Sequence, residues 1–199
     1  MADLLAKKIA QLPEETQNIL KLAACIGNRF DTATLAVISG LAEKELLKTL
    51  NESLSGQYVF ESDDTYEFVH DQVQQGGYAL IAAEDRPRVH LEIGRLLLSN
   101  TAADELEVAL FNIVHHFNAG AALLESESER ITVAELNLKS AQKARNAAAY
   151  AEGFGYIEQG LALLGPDSWQ TYYDLTLALH NEAAEGAYLT GHYDKSEEI

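Results

Sequence analysis

Residues 58–71, YVFESDDTYEFVHD, decide how this chain folds, because they contain its clearest change of hydrophobic period. Tyr58 and Phe60 lie on one side of the polar run ESDDT, and Tyr66 and Phe68 lie on the other. A spacing of two residues is typical of a strand, and a polar turn between two such strands is typical of a β-hairpin. We therefore predict one β-hairpin here.

Three helices are predicted before this hairpin, from apolar residues that recur with the period of a helix. The first begins near Pro13 and ends at Gly27. The second follows Asp31, whose side chain can cap its amino end, and it ends at Gly40. The third runs over about residues 42–54. Three helices followed by a hairpin is the order of elements in a winged helix, which we predict for this part of the chain.

Only helices are predicted after the hairpin. Asp71 is suited to cap the first of them, and the adjacent Gly76 and Gly77 within it suggest that another backbone comes close. Further helices are predicted near Pro87 and over about residues 103–117.

The last third of the sequence is rich in alanine and shows a loose internal repeat. A stripe of small residues, which lets a neighbouring helix approach closely, is predicted at Ala134, Leu138, Ala141, Ala144 and Ala148. One later helix begins at Tyr150, and a long one contains Trp169 and ends at Gly191. Tyr150 and Gly153 match Tyr188 and Gly191 at an offset of 38 residues. Because tetratricopeptide repeats have a period of about 34 residues, we predict antiparallel helical hairpins that resemble them.

The predicted fold class is therefore mainly α, with three regions. Residues 1–82 form a winged-helix domain with one hairpin, 83–128 form connecting helices, and 129–199 form the helical hairpins. The polar run ESESER at 125–130 marks the second boundary. The sequence stops within a repeat, so we expect it to be a piece of a longer protein.

The charge of the chain argues against polyanionic partners. It has 14 Lys and Arg against 31 Asp and Glu, a formal net charge of −17, and the excess of acid is spread over its whole length. The third helix, where a winged helix contacts DNA, has more glutamates than lysines. The hairpin has four acidic residues and no basic one, namely Glu61, Asp63, Asp64 and Glu67. Since DNA binding depends on Lys and Arg that displace counterions, we expect no nucleic acid and no membrane as partner.

The lone cysteine and the hydropathy pattern indicate the compartment. No apolar run approaches the roughly 20 residues that span a bilayer. Cys25 has no second cysteine to pair with, so a reduced, cytoplasmic location is expected, with Cys25 as a small core residue.

The histidines offer one candidate site. His70 and Asp71 stand where the second hairpin strand meets a helix, and from the residues alone they are a strand-end histidine and a helix cap. A phosphate-accepting role is disfavoured, because such a histidine is expected on a long dimerising helix. His115 and His116 are adjacent on a helix and point about 100° apart, so we predict one in the core and one on the surface, and no metal site.

No catalytic residues are predicted, because the sequence has no phosphate loop, no dinucleotide-binding glycine motif and no nucleophile elbow. The glycines at 153 and 155 are interpreted as a turn between helices. Tyrosines with helical spacing are interpreted mainly as core between the repeats. As an alternative, some of them line a peptide groove, with Tyr150, Tyr156, Tyr172 and Tyr188 as candidates.

Four segments carry a resemblance to a known family. They are LPEETQNILKLAACIGNRFDTATLAVISG, YEFVHDQVQQGGYALI, RPRVHLEIGRLLL and AYAEGFGYIEQGLALLGPDSW. They resemble the region that follows the STAND-type ATPase module in very large bacterial, often cyanobacterial, signalling kinases, which combine Ser/Thr kinase and sensor histidine kinase domains. Gln72 departs from the family, where arginine is common, and Gly76 and Gly77 replace its usual alanines.

The resemblance implies a function for the candidate site. In STAND ATPases a histidine at the end of the winged-helix hairpin faces the phosphates of bound ADP, and Val69-His70-Asp71 resembles that motif. It implies a non-catalytic regulatory region that couples nucleotide state to kinase output. ATP or ADP would be bound by the parent protein, and this chain would hold no cofactor.

The neighbouring domains of the parent kinase are then the expected partners. The alternative function is a protein scaffold whose repeats bind a basic peptide or domain, as the acidic charge favours.

Overall fold

The computed structural model describes residues 2–63 and 65–189, with side chains from Ala6 onward. It divides into two compact units, Met1–Ala102 and Ala103–Ile199. The first contains α1 Ala2–Ile9, α2 Glu14–Ile26, β1 Arg29–Phe30, α3 Thr32–Ser39, α4 Glu43–Ser55, β2 Val59–Ser62, β3 Thr65–Phe68, α5 Asp71–Ala79 and α6 Arg86–Asn100. The second contains α7 Leu106–Ala119, a 3-10 turn Ala121–Leu123, α8 Glu127–Asn146, α9 Tyr150–Ala162, α10 Ser168–Thr171 and α11 Tyr173–Leu189. The fold is mainly α with one small sheet, as the sequence predicts.

The two units differ from the three predicted regions. The helices expected to connect two domains are divided between the units, because α6 packs against α3 whereas α7 packs against α8. The run ESESER does not separate domains, since α8 begins at Glu127 within it. The last predicted region extends past Leu189, and residues 190–199 lie outside the described part of the chain.

The sheet confirms the predicted hairpin and adds a strand to it. β3 pairs with β2 on one side and with β1 on the other, and both pairings are antiparallel. The alternating pattern predicted the β2 strand correctly but indicated the wrong buried face. Val59 is 2% exposed, whereas Phe60, which belongs to the predicted apolar face, is 43% exposed. The two-residue β1 is too short to give a periodic signal.

The helix ends of the first unit follow the predicted capping, with one correction. Asp31 accepts a hydrogen bond from the Thr34 backbone N–H at 2.7 Å, and Gly40 ends α3 in a left-handed conformation. Asp71 is not the cap of α5. His70 occupies the position before the helix, and Asp71 is the first helical residue.

The predicted close approach at the two glycines is confirmed for Gly77. A Cβ atom there would lie 3.1 Å from the Leu20 backbone oxygen and 3.3 Å from the Ala24 Cβ. Glycine therefore brings α5 against α2. α5 also packs against α1, a helix that was not predicted from the sequence.

Small residues also determine the packing of the second unit. Ala134, Ala141 and Ala144 are buried on α8, as predicted. A Cβ at Gly153 would lie 3.3 Å from the Ala141 oxygen, which explains glycine inside α9. Interpreting the glycines at 153 and 155 as a turn between helices was therefore wrong.

The predicted long helix around Trp169 is in fact two helices. Tyr172 adopts φ −132° and ψ 46°, which separates α10 from α11. Trp169 therefore does not continue the buried stripe of α11, which consists of Thr176, Leu179, Ala183 and Ala187.

Candidate functional site

His70 and Asp71 lie at the junction between the hairpin and α5, and both are exposed. His70 has extended backbone, and its carbonyl oxygen accepts a hydrogen bond from the Val73 N–H at 2.8 Å. No side-chain capping bond forms at this helix end. The His70 imidazole therefore stands on the surface beside the amino end of α5, where the helix dipole favours negative charge.

The backbone around this junction is held from both sides. The Val69 N–H donates to the Tyr58 carbonyl oxygen at 3.1 Å, which closes the hairpin. The Gln74 Nε2 donates to the Ala24 carbonyl oxygen at 3.0 Å, which joins α5 to α2. An exposed histidine is thus presented from a fixed backbone.

Near the carboxyl end of α5, Tyr78 forms a cluster with Cys25, Arg86 and His90. The Tyr78 hydroxyl lies 3.0 Å from His90 Nε2, and the Arg86 guanidinium lies 4.6 Å from the centre of the Tyr78 ring. Burial raises the pKa of the Cys25 thiol to about 12, although the charge of Arg86 acts in the opposite direction. Burial also raises the pKa of Tyr78. Cys25 is a core residue, as predicted, and its thiol is protonated at neutral pH.

The adjacent histidines on α7 divide as the sequence predicts. His116 is buried and His115 is exposed. Over residues 2–63 and 65–189, no group of three or more His, Cys, Asp or Glu is placed to hold a metal ion.

The four candidate groove tyrosines have different surroundings. Tyr156 stacks on Phe111 with ring centres 5.6 Å apart. Tyr172 is half-buried, whereas Tyr188 is 64% exposed. Of the four, Tyr150 lines the cleft described next.

This cleft lies between α8, α9 and α11. Its lining is Ala141, Arg145, Tyr150, Gly153, Phe154, Ile157, Glu182, Gly186 and Leu189. The Arg145 guanidinium lies 3.2 Å from the Glu182 carboxylate and also pairs with Glu185. Two carboxylates beside one guanidinium give the cleft a surplus of negative charge, which disfavours a phosphate there.

A group of rings on α10 and α11, of which Trp169 and Tyr173 are exposed, was not predicted from the sequence. The Trp169 ring centre lies 5.9 Å from that of Tyr173 and 4.8 Å from that of His180. Leu177 is exposed one helical turn after Tyr173. We call Trp169, Tyr173, Leu177 and His180 the aromatic patch. The three residues on α11 recur at i, i+4 and i+7, a spacing that indicates a second apolar stripe on that helix.

In the part of the chain that the structure describes, no helix combines the length and apolar character needed to cross a membrane. The chain is similar to the hybrid signal transduction histidine kinase G of Dictyostelium discoideum, with 23% identity over 261 aligned positions. The alignment takes in all of this chain but spans only 8% of that kinase. No protein-family profile matches the sequence, and no solved structure matches it. The comparison therefore relates both units to one region of a signal-transduction kinase.

Proposed function

We propose that this chain is a non-catalytic regulatory region of a large signalling kinase, and that it couples the nucleotide state of an adjacent ATPase module to kinase output. The position of His70 carries the proposal, because it is an exposed histidine at the end of a hairpin and beside a helix amino end. Similarity to a signal-transduction histidine kinase along the entire chain supports the signalling context.

The first unit is proposed to act as a winged helix. In support, α2, β1, α3 and α4 precede the β2–β3 hairpin, and β1 completes a three-stranded sheet with it. In such a module the hairpin end faces the neighbouring ATPase module. The hydrogen bonds of Val69 and Gln74 would then fix the direction in which His70 is presented.

The chemistry proposed for His70 is a hydrogen bond to a phosphate oxygen of ADP bound in the ATPase module. The partial positive charge at the amino end of α5 would add to the attraction. Loss or gain of that contact would change how the first unit docks on the ATPase module. The helices of the second unit would transmit this change to the kinase. Nucleotide binding itself belongs to the ATPase module, because this sequence has no phosphate loop.

Two measurements test the proposal. Calorimetric titration of this chain alone with ADP should show no micromolar binding, and micromolar binding would contradict the division of roles. In the complete protein, with ATP as the phosphoryl donor, His70→Ala should change the effect of added ADP on autophosphorylation, whereas His115→Ala, at an exposed histidine of the second unit, should not. An equal effect of ADP on wild type and both variants would refute the coupling.

A further inference from the structure

The aromatic patch is an exposed surface that the nucleotide switch does not use. Trp169 is 43% exposed and Tyr173 is 55% exposed, although both side chains carry large apolar rings. Tryptophan and tyrosine on a surface are the residues that contribute most strongly to protein interfaces. The two rings meet edge to face, with their planes 61° apart.

The imidazole of His180 helps to define the chemistry of the patch. Its Nδ1 lies 2.8 Å from the Thr176 carbonyl oxygen, so this nitrogen donates a hydrogen bond to that oxygen. In the neutral ring the other nitrogen, Nε2, is then a hydrogen-bond acceptor. The same ring lies against Trp169, so an acceptor stands next to an aromatic face.

Acidic residues flank the patch on both helices. Asp167 directly precedes α10, and Asp174 follows Tyr173 in the first turn of α11; both are exposed. Residues 103–189 contain 13 Asp and Glu against 4 Lys and Arg. Two of those four, Lys143 and Arg145, form ion pairs with glutamates of the same unit. The field at the patch is therefore negative.

We infer that the aromatic patch binds a basic protein segment, with an arginine side chain held over the Trp169 and Tyr173 rings. A guanidinium is attracted to aromatic faces and to negative charge, which suits the rings and the acidic residues near them in sequence. Leu177 supplies an apolar contact for a neighbouring side chain of the segment. A second copy of this chain is a poor occupant, because Asp167 and Asp174 would meet the same carboxylates.

The inference does not depend on the nucleotide switch, since it concerns other residues in the other unit. Trp169 is the only tryptophan of the sequence, so its fluorescence reports on the patch alone. The probe is a short synthetic peptide of arginine, leucine and glycine, titrated at about 0.15 M salt, where long-range attraction between exposed charges is largely screened. The matched peptide has glutamate in place of arginine.

The arginine peptide should change Trp169 fluorescence saturably, and the glutamate peptide should not. Tyr173→Ala should weaken binding about twofold to fivefold, because an exposed cation–π contact is lost, and Tyr173→Phe should keep the affinity of the wild type. Asp174→Asn should weaken binding by a similar factor, whereas Glu135→Gln, at an exposed carboxylate of α8, should weaken it less than about twofold.

Three results would overturn the inference. They are an unchanged fluorescence, an equal loss in Asp174→Asn and Glu135→Gln, and a fluorescence change caused by raising the protein concentration without peptide. The second would indicate attraction by the net charge alone, and the third would indicate self-association. Circular dichroism of each variant confirms that the fold is retained.

Discussion

Each unit contains an aromatic cluster, which is buried in the first unit and largely exposed in the second. In the first, the Phe30 ring packs against the rings of Tyr66 and Phe68, and its centre lies about 6 Å from each of theirs. In the second, alanines and glycines bring the helices together, and Trp169 and Tyr173 remain on the surface. The buried rings therefore contribute to the stability of the first unit, whereas Trp169 and Tyr173 are accessible to a partner.

The largest expected effect concerns the buried rings. Phe68→Ala should lower the free energy of unfolding by about 3–5 kcal/mol, because Phe68 is almost fully buried and the change leaves a cavity. Urea unfolding measures this loss. If Tyr173→Ala, at an exposed ring, lowered the free energy of unfolding as much as Phe68→Ala does, the contrast between buried and exposed rings would be wrong.

The next effect tests the packing of small residues in the second unit. A Cβ at Gly160 would lie 2.9 Å from the buried Leu179 side chain and 3.4 Å from Asn137 Cβ, so Gly160→Ala should cost about 1–3 kcal/mol. Gly155 lies on the same helix with no atom within 4 Å of such a Cβ.

Gly155→Ala is therefore the matched control, and it should stabilise the protein by up to about 1 kcal/mol through higher helix propensity. Thermal unfolding of Gly160→Ala and Gly155→Ala measures the change in stability of each variant. Equal shifts of the same sign would show that α9 does not need glycine for its contact with α8.

A third effect concerns the buried thiol of the first unit. Its pKa is raised from 9.0 to about 12 by burial, so above pH 9 the unfolded chain loses a proton that the folded chain keeps. Stability should therefore fall with rising pH, by at most about 1.4 kcal/mol per pH unit from this group. Urea unfolding between pH 8 and 10 should show a shallower decline for Cys25→Ala, and an equal decline would contradict the assignment.

Periodicity predicted much of the fold because most elements bury one regular face. The Asp31 cap, the hairpin and the alanine stripe of α8 were all predicted from local patterns. Features that depend on residues distant in the sequence were not predicted. Strand β1 is an example, because it forms by pairing with β3. The break at Tyr172 was missed because the apolar residues Trp169, Tyr172, Leu175 and Leu179 keep a helical spacing across it.

The candidate site was predicted in part. The position of His70 after a strand followed from sequence, but its exposure depends on how α5 packs against α2 and α1. The aromatic patch was missed because Trp169 fits the period of the buried stripe and tertiary packing alone shows otherwise. A regular pattern therefore locates helices better than it assigns their faces.

The central claim is that exposed His70 senses a nucleotide while buried Phe68, two residues earlier, maintains the fold. The most direct measurement is the rate of ADP release from the complete protein. His70→Ala should change unfolding by less than about 0.5 kcal/mol, as is usual at the surface. It should accelerate ADP release roughly tenfold or more, the effect of losing one hydrogen bond to a charged group. An unchanged release rate in a variant of unchanged stability would contradict the account.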